Sequence, residues 1–527
     1  MKLTREGIKE RDAWQEKGIR LPQYDVEATA ARTRKEPEWI HFGAGNIFRG
    51  FIGSIAQKLL NAGETDTGII AVETFDFDII DKIYQPYDNL TLNVMMDVDS
   101  GLDLEVLGGV VDGVKASDYA RLYEIAKKPS LKMMSFTITE KGYAITASGG
   151  QFLPIVEEDI KDGAKAPKHA MSIVAAMLYE RYTNGACPLA VVSMDNCSHN
   201  GEKLQASVMA IAKACVENGT MDKGFLAYLN TKVSFPWSMI DKITPRPSDK
   251  VKAQLQALGV EDMDAVVTGK NTYIAPFVNA EIPEYLVVED NFPNGRPPLE
   301  KVGVYLTSRE TVNKAETMKV TTCLNPLHTA LAVFGCTLGY TTIWEEMQDA
   351  CLKRLVQMIA DEGMKVVIDP KIIDPQAFVT EVIEKRLPNP NIPDAPQRIA
   401  TDTSQKVGIR YGETIKSYMH SDSLSPADLT AIPMAIAGWL RYLLGVDDNG
   451  NAFERSQDPM LDELTGMLEG IRVGQPDSLQ GQLKGILSNK ALFGTDLYKA
   501  GIGDKIEMYF ASMIKTKGAV REALNAL

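Results

Sequence analysis

The chain of 527 residues is poor in cysteine and histidine and has no long apolar run. Its six cysteines stand singly, with no C-x-x-C spacing. This pattern argues against a disulfide framework and a structural zinc site, and it indicates reduced thiols in a cytoplasmic protein. Its five histidines form no H-E-x-x-H pair. The sequence therefore indicates no metal site.

Basic residues are outnumbered by acidic ones. The chain has 56 lysines and arginines against 70 aspartates and glutamates, which gives a net charge of −14. Nucleic acids and anionic membranes require basic clusters, so neither is expected as a partner, whereas a small anionic substrate needs only a few local cations. Apolar stretches such as 431–440 are shorter than the roughly 20 residues that span a bilayer, and residues 1–7 lack the apolar core of a signal peptide. We expect a cytoplasmic monomer that acts on a small molecule.

Residues 37–300 alternate short β-rich runs with helical periods. The predicted strands include 39–42, 68–72, 133–139 and 189–193, and the predicted helices include 47–60 and 173–182. This order is typical of βαβ units, so we predict an α/β Rossmann-like domain with a mostly parallel sheet. The polar residues 1–36 are interpreted as an N-terminal arm that packs on this domain.

Residues 301–527 have a different pattern, dominated by long amphipathic helices. The predicted helical stretches are 327–339, 344–362, 426–445 and 505–525, separated by Pro/Asn-rich turns such as 387–391. We place the boundary near residue 300, after the loop 291–297, and predict a mainly α-helical C-terminal domain. A cleft beside an α/β domain is a common place for a site.

Gly43-Ala44-Gly45 follows the first predicted strand and opens the first predicted helix. Glycines here permit a tight turn and a close approach to a pyrophosphate, although Phe48 replaces the third glycine of the usual fingerprint and a purely structural turn is the alternative. The second strand ends at Glu73. A carboxylate there binds ribose hydroxyls and repels a 2′-phosphate, which favours NAD over NADP; the alternative is a solvated strand end.

Residues 316–328 place a lysine, an asparagine and a histidine within ten positions among apolar neighbours. Apolar surroundings suit Lys319 for proton transfer, and the Asn325 amide is able to donate to an alkoxide. On one straight helix Lys319 and His328 would be 180° apart, so joint action requires a break or bulge, which Pro326 favours. The alternative is a surface lysine and a satisfied core histidine.

Asn196 is a second candidate amide donor. It follows the predicted strand 189–193, and the carboxyl ends of parallel strands are where such folds place their sites. The alternative is a turn and helix cap built from Asp195, Asn196 and Ser198.

Seven motifs together carry a resemblance that runs from about residue 37 to the end of the chain. With them, the sequence resembles the polyol-specific long-chain dehydrogenases, the mannitol dehydrogenase family. The motifs are G-A-G-N-I-F-R (43–49), T-E-K-G-Y (139–143), D-N (195–196), F-P-W-S-M-I-D-K-I (235–243), D-N-F-P-N-G-R-P (290–297), D-T-S-Q-K (402–406) and A-G-W-L-R-Y (437–442).

The resemblance implies zinc-independent, NAD-linked interconversion of an alcohol carbon and a ketone. It implies that Lys319 is the general acid/base and that Asn196 and Asn325 stabilise the oxyanion. It further implies that His328 orients the substrate and that Glu316 relays the proton to solvent.

The resemblance also implies cofactor and substrate contacts. Arg398 and Lys406 match positions that contact substrate, and both are able to hold a carboxylate. The implied cofactor residues are Gly43, Ala44, Gly45, Asn46, Ile47, Phe48, Arg49, Glu73 and Thr139. One departure is that five residues, not four, separate Lys319 from Asn325, which we interpret as a local bulge.

Within the family, the whole-chain likeness is greatest to the members that reduce D-fructuronate to D-mannonate, which implies a role in hexuronate catabolism. Mannitol 2-dehydrogenase and tagaturonate reductase activities are the alternatives within the family. A non-catalytic NAD-binding sensor is the alternative of a different class, since a fold alone does not fix a function. A decarboxylating hydroxyacid dehydrogenase shares the domain plan but not the motifs.

Overall fold

The buried runs predicted as strands lie side by side in the computed structural model, which describes residues 1–97, 101–147, 149–163 and 165–527. The chain divides into two units, Met1–Asn313 and Lys314–Leu527. None of the helices in the described part of the chain has both the length and the apolar character needed to cross a bilayer.

The strands belong to the first unit. They are β1 (Ile19–Arg20), β2 (Trp39–Phe42), β3 (Ile69–Glu73), β4 (Thr91–Asp97), β5 (Gly101–Leu107), β6 (Val110–Lys115), β7 (Met133–Phe136), β8 (Leu189–Ser193), β9 (Val233–Ser234), β10 (Ser238–Asp241), β11 (Val266–Val267), β12 (Tyr273–Ile274), β13 (Phe277–Glu281), β14 (Tyr285–Glu289) and β15 (Tyr305–Thr307). Its helices are α1 (Arg11–Gln15), α2 (Val26–Lys35), α3 (Gly53–Asn61), α4 (Tyr119–Lys127), α5 (Pro154–Asp162), α6 (Ala170–Thr183), α7 (Asn200–Glu217), α8 (Gly224–Thr231) and α9 (Asp249–Ala257).

Six strands form one sheet in the order β6-β3-β2-β7-β8-β9, and every neighbouring pair is parallel. In chain order this is 3-2-1-4-5-6, the doubly wound arrangement. The order reverses between β2 and β7, so the loops after these two strands diverge at the carboxyl edge of the sheet. A crevice at such a switch point is where this fold binds ligands. The predicted Rossmann-like fold is confirmed.

Both faces of this sheet are covered by helices, because alternate side chains of each strand point to opposite faces. Trp39 and Ile69 pack in one apolar cluster with residues of α3, such as Ile55. Ile40 and Ile70 pack in a second cluster with residues of α4, α6 and α7. This double burial explains why the strands are continuously apolar in sequence.

Residues 1–36 pack within the first unit. The short strand β1 pairs in parallel with β5, in a second sheet of order β1-β5-β4-β13. Trp14 is fully buried, and its indole N–H donates to the carbonyl of Gly7 at 3.0 Å. The arm is therefore held by both backbone pairing and side-chain burial.

The second unit is helical throughout its regular structure. Its helices follow α10 (Arg309–Met318), which begins in the first unit. They are α11 (Asn325–Leu338), α12 (Ile343–Gln348), α13 (Ala350–Met364), α14 (Pro375–Glu381), α15 (Pro396–Ile399), α16 (Glu413–Met419), α17 (Ala431–Tyr442), α18 (Leu461–Met467), α19 (Leu483–Leu487), α20 (Lys490–Phe493), α21 (Gly503–Met513) and α22 (Ala519–Asn525). The predicted mainly α-helical C-terminal part is confirmed.

Two of the predicted helical stretches are divided in the structure. The stretch 344–362 breaks at Asp349, whose side chain accepts hydrogen bonds from the backbone of Cys351 and Leu352 and so begins α13. The stretch 505–525 breaks before Gly518, which has a φ of 82°. A helical period continues through both breaks, so only the caps mark them.

Helix α17 is the buried centre of the second unit, with all its residues buried. Its N-terminus is capped from a distance by the side chain of Glu362 on α13. The two carboxylate oxygens accept from the backbone N–H groups of Thr430, Ala431 and Ile432 at 2.6, 2.8 and 2.9 Å. Burial raises the pKa of Glu362, and the three N–H groups act against that rise. The carboxyl thus satisfies donors that a buried helix end would otherwise leave unpaired.

We expect Glu362→Ala to lower the free energy of unfolding by about 2 kcal/mol, because it leaves three N–H groups at the start of α17 without an acceptor. Urea unfolding followed by far-UV circular dichroism measures this loss. The matched control is Asp361→Ala, which removes an exposed carboxyl from the adjacent position of α13. Equal stability of the two variants would contradict the capping role.

Candidate functional site

The turn after β2 is built for a close approach to its backbone. Gly43 has a φ of 101°, and a Cβ added there would overlap the carbonyl oxygen of Thr137. A Cβ added at Gly45 would meet nothing within 4 Å, so the space above this residue is open. The Oδ1 atom of Asn46 is buried without a hydrogen-bond partner. An open glycine backbone beside an unsatisfied acceptor fits a dinucleotide, whose phosphates and hydroxyls supply the missing partners.

Glu73, at the end of β3, is buried and is not a solvated strand end. Its Oε2 accepts from the N–H of Ala44 at 3.0 Å, and its Oε1 accepts from the N–H groups of Phe75 and Asp76 at 2.9 and 3.1 Å. The carboxylate therefore fixes the glycine turn to the neighbouring strand end. Oε2 accepts a single protein bond, which leaves acceptor capacity for a ribose hydroxyl.

The remaining predicted cofactor residues of this segment lie deeper. The helix after the turn passes through a π-helical turn, Phe48–Ile52. Phe48 is buried and stacks on His41, with ring centroids 4.1 Å apart. Arg49 is buried, and its guanidinium donates to the carbonyls of Ala275 and Pro276 at 2.8 and 3.0 Å. Burial lowers the pKa of Arg49 to about 10. The guanidinium thus joins the turn to the second sheet and does not point into the open space above Gly45. Half-buried Ile47 is the second residue of the helix, which begins at Asn46.

The loop after β7 is held in an unusual backbone conformation. Thr139 has φ 65° and ψ 163°, a region that β-branched residues avoid. The carboxylate of Asp195 accepts from the N–H groups of Ile138 and Thr139, each at 2.9 Å, and from the Tyr143 hydroxyl at 2.5 Å. These bonds join the loops that follow β7 and β8. Thr139 accordingly lies at the switch-point edge of the sheet.

Asn196 is exposed directly after Asp195, in the loop that follows β8. Asp195 is committed to the neighbouring loop, and α7 begins only after His199, which has a φ of 51° and makes no side-chain cap. The structure therefore does not use Asp195 as the helix cap considered from the sequence. Instead Asp195 fixes the backbone next to Asn196.

In the second unit, Lys319 begins a π-helical turn, Lys319–Cys323, that directly continues α10. The turn is closed by a hydrogen bond from Leu324 N–H to the Lys319 carbonyl at 3.1 Å, and α11 then starts at Asn325. The predicted bulge and break are confirmed. Lys319 is buried, with 2% of its surface exposed, so it is not a surface lysine. Glu316, one turn earlier, is half-buried.

His328 lies in the first turns of α11, three residues after half-buried Asn325. Its Nε2 is 3.2 Å from the Oδ2 of Asp394. The other oxygen, Oδ1, lies 2.8 and 2.6 Å from the Nε and Nη2 atoms of Arg398. Burial opposes ionisation of Asp394, but the neighbouring His328 and Arg398 lower its pKa below the usual value. Two predicted site residues, His328 and Arg398, are thereby brought together by a third.

Lys406 and Arg410 are two further cations of the second unit. Burial, followed by the nearby Arg410, lowers the pKa of Lys406, whose amine donates to the carbonyl of Thr401. The guanidinium of Arg410 donates to the hydroxyl of Thr329, the residue after His328, and burial lowers the pKa of Arg410 to about 10. Within the described residues, Arg410 makes no ion pair with a carboxylate.

Sequence reasoning missed Asp394 and Arg410. Each stands four residues from a predicted substrate residue, Asp394 before Arg398 and Arg410 after Lys406. This i,i+4 spacing of a charged partner was the available signal. As for metals, the described residues contain no group of three or more His, Cys, Asp or Glu side chains able to hold an ion.

Comparison with known proteins gives a consistent result. Two family models match the chain, the Mannitol dehydrogenase Rossmann domain over residues 37–301 and the Mannitol dehydrogenase C-terminal domain over residues 311–513. The D-mannonate oxidoreductase of Thermotoga maritima is 51% identical over 530 residues, which cover 99% of this chain and 98% of that protein.

Two more distant relatives show the same likeness over most of their length. The D-mannonate oxidoreductase of Escherichia coli is 27% identical, covering 88% of this chain and 90% of that protein. The solved structure of Pseudomonas fluorescens mannitol 2-dehydrogenase, a ternary complex with NAD and D-mannitol, is 25% identical with a TM-score of 0.74, covering 100% of this chain and 99% of that chain.

The turn after β2 gives a direct test of the backbone constraint. We expect Gly43→Ala to lower the free energy of unfolding by about 2 kcal/mol or more, because the new methyl combines a positive φ with overlap on Thr137. Gly45→Ala is the control, since its methyl enters open space. Urea unfolding without cofactor compares them, and similar losses for both variants would contradict the assignment.

Proposed function

This chain belongs to the mannitol dehydrogenase family, as its motifs predict, and we propose that it is an NAD-dependent oxidoreductase that interconverts D-fructuronate and D-mannonate. The observation that carries the substrate assignment is the similarity over essentially the whole chain to a D-mannonate oxidoreductase, at 51% identity. The half-buried Lys406 and Arg410 of the second unit support it, because a sugar acid brings a carboxylate that a polyol lacks.

We propose that residues 37–300 hold NAD and that residues 301–527 provide the acid/base and substrate groups, with residues 1–36 as a packed arm. Gly43, Ala44 and Gly45 form the turn that the pyrophosphate approaches, and the N–H groups of Gly43 and Ala44 are held by Val72 and Glu73. Asn46 and Thr139 line the same edge of the sheet. Glu73 accepts a ribose hydroxyl through Oε2, and its negative charge disfavours a 2′-phosphate. The six cysteines are all free thiols, which fits a cytoplasmic enzyme.

The chemistry that bound NADH supplies is a hydride for the ketone carbon at C5 of D-fructuronate. Lys319 gives a proton to the oxygen of that carbonyl, and the lysine regains a proton through Glu316, which is half-buried and so able to exchange with solvent. Asn196 and Asn325 donate to the oxygen as negative charge develops on it. Each donor of this kind contributes roughly 3 kcal/mol to the transition state.

The substrate carboxylate is the proposed partner of the cations in the second unit. Arg398 keeps N–H donors beyond those that face Asp394. Arg410 lies close enough to Lys406 to lower the pKa of its amine. Burying a guanidinium without a carboxylate is costly, and an anionic substrate would offset that cost. His328 orients a hydroxyl of the same substrate.

The decisive experiment is NADH oxidation by purified protein with D-fructuronate, D-tagaturonate and D-fructose, compared by kcat/KM. We expect D-fructuronate to exceed D-fructose by at least about 100-fold, since the uncharged ketose brings no carboxylate to pair with Arg398, Lys406 and Arg410. A preference for D-tagaturonate or D-fructose would transfer the assignment to a tagaturonate reductase or a mannitol 2-dehydrogenase. Binding of NADH without turnover of any of the three would support the sensor alternative.

Lys319→Ala tests the acid/base assignment. We expect kcat to fall by about 10³-fold, a usual size for loss of a general acid, with the NADH dissociation constant nearly unchanged. Stopped-flow turnover and fluorescence titration of NADH measure the two quantities. Lys353→Ala, at an exposed position of α13, is the control. Near-normal turnover by the Lys319 variant would remove the lysine from the mechanism.

A further inference from the structure

Two buried acids, Asp394 and Glu346, lie close together in the second unit, and the mechanism uses neither. Asp394 is 7% exposed and lies between two substrate residues, with a different carboxylate oxygen turned to each of them. We propose that Asp394 is a positioning residue that holds His328 in one tautomer and Arg398 in one orientation. That His328 and Arg398 bind substrate rests on the proposed function. The contacts by which Asp394 holds these two residues do not depend on it.

The consequence for His328 follows from the chemistry of its partner. A carboxylate only accepts hydrogen bonds, and Nε2 of His328 lies 3.2 Å from Oδ2 of Asp394 in a charged contact that falls short of hydrogen-bond geometry. This contact favours the tautomer that carries the hydrogen on Nε2. In the neutral ring Nδ1 is then an acceptor. His328 therefore receives a hydrogen bond from a substrate hydroxyl rather than donating one to the carbonyl oxygen, which leaves donation to the amides and Lys319.

The consequence for Arg398 is a loss of freedom. Its side chain is 67% exposed, and an exposed arginine ordinarily samples many rotamers. Here Nε and Nη2 both lie against Oδ1 of Asp394, at 2.8 and 2.6 Å, so the guanidinium plane is fixed. The Nη1 edge remains for a planar anion such as a carboxylate.

Asp394 is itself held rigidly. It follows Pro393 in the Pro/Asn-rich turn that separates α14 from α15. Its backbone N–H donates to Ile392 at 2.8 Å, and its carbonyl accepts from Ile343 at 2.9 Å, at the start of α12. Because two backbone hydrogen bonds and the restricted φ of Pro393 fix the backbone of Asp394, its side chain is suited to orienting other groups.

Glu346 provides the contrast that makes the proposal testable. It is fully buried, neither of its carboxyl oxygens has a hydrogen-bond partner, and it packs so closely on Gly335 that a Cβ there would overlap Oε1. Burial, and then the charge of Asp394, raises the pKa of Glu346 well above its usual value. The two neighbouring acids thus differ in their contacts: Asp394 is hydrogen-bonded to Arg398 and lies against His328, whereas Glu346 makes no hydrogen bond.

The test compares Asp394→Asn with Glu346→Gln in the full-length enzyme, with NADH and whichever of the three ketoses or ketouronates the unaltered enzyme reduces best. That choice separates this inference from the substrate assignment, because a wrong substrate leaves the comparison intact. We expect Asp394→Asn to lower kcat/KM by about 100-fold, as loss of an orienting carboxylate does. We expect Glu346→Gln to stay within about twofold, because the Glu346 carboxyl makes no hydrogen bond to a site residue.

Two readouts separate positioning from a merely structural effect. In a His328→Ala background, Asp394→Asn can act on kcat/KM only through Arg398. In a His328→Ala/Arg398→Ala background, which lacks both partners, Asp394→Asn should lower kcat/KM by no more than about threefold further. In NMR spectra of protein labelled with ¹⁵N-histidine, the signal that is absent from the His328→Gln variant is assigned to His328. This signal should show hydrogen on Nε2 in the unaltered protein, and the Asp394→Asn variant should lose the preference for that tautomer.

Several results would overturn the proposal. These are an equal effect of the two substitutions, an undiminished effect of Asp394→Asn in the background that lacks both partners, or hydrogen on Nδ1 of His328 in the unaltered enzyme. If Asp394→Asn fails to fold, or if no substrate is turned over, the tautomer of His328 in the unaltered protein decides the matter by itself.

Discussion

Two carboxylates that accept backbone N–H groups, the buried Glu73 and the half-buried Asp195, hold the carboxyl edge of the parallel sheet in shape. Loops at this edge leave peptide donors without strand partners, and a buried N–H that stays unpaired is costly. Glu73 satisfies Ala44 in the glycine turn, and Asp195 satisfies Ile138 and Thr139 in the next loop. Each acid belongs to the strand end beside the loop it fixes. The predicted cofactor residues thus depend on two acids for their conformation.

The same logic extends to irregular helices. Five π-helical turns occur in the described residues, and three of them carry or adjoin predicted site segments, at Phe48–Ile52, Lys319–Cys323 and Gly408–Gly412. A π-turn inserts one residue and rotates everything that follows, at some cost in helix stability. Such turns persist where surrounding packing holds them. In the last of these turns, a Cβ at Gly412 would overlap the carbonyl of Phe493, so only glycine permits the close approach.

Side chains of the second unit are oriented by one another more than by their own helices. His328 belongs to α11 and Arg398 to α15, yet the carboxylate of Asp394, in the turn before α15, contacts both. Burial acts on the ionisable side chains of this region, and it disfavours the charged form of acids and of bases alike. Glu346 favours the neutral form because burial and the charge of Asp394 act together on it. Burial lowers the pKa of both Arg410 and Lys406, and an anion beside them would offset that effect.

The strands were predicted closely because their burial on two faces leaves a continuous apolar signal. The runs 39–42 and 189–193 coincide with β2 and β8, whereas 133–139 ends earlier, at Phe136, since Ile138 and Thr139 turn to meet Asp195. The helical stretches were located but not divided correctly, because caps such as Asp349 interrupt a helical period without changing it. The family, the two-part fold and the bulge after Lys319 are confirmed.

The sequence by itself determined four strands of the parallel sheet, the mainly helical character of the second unit, the glycine turn, and the short run that contains Lys319, Asn325 and His328. These features are local: they follow from periodicity, from residue types and from spacing along a few turns. Only the tertiary structure decided the partners. That Asp195 holds Thr139, that Glu362 caps α17, and that Asp394 links His328 to Arg398 depend on residues far apart in the chain, and no local pattern distinguishes a buried, paired carboxylate from a solvated one.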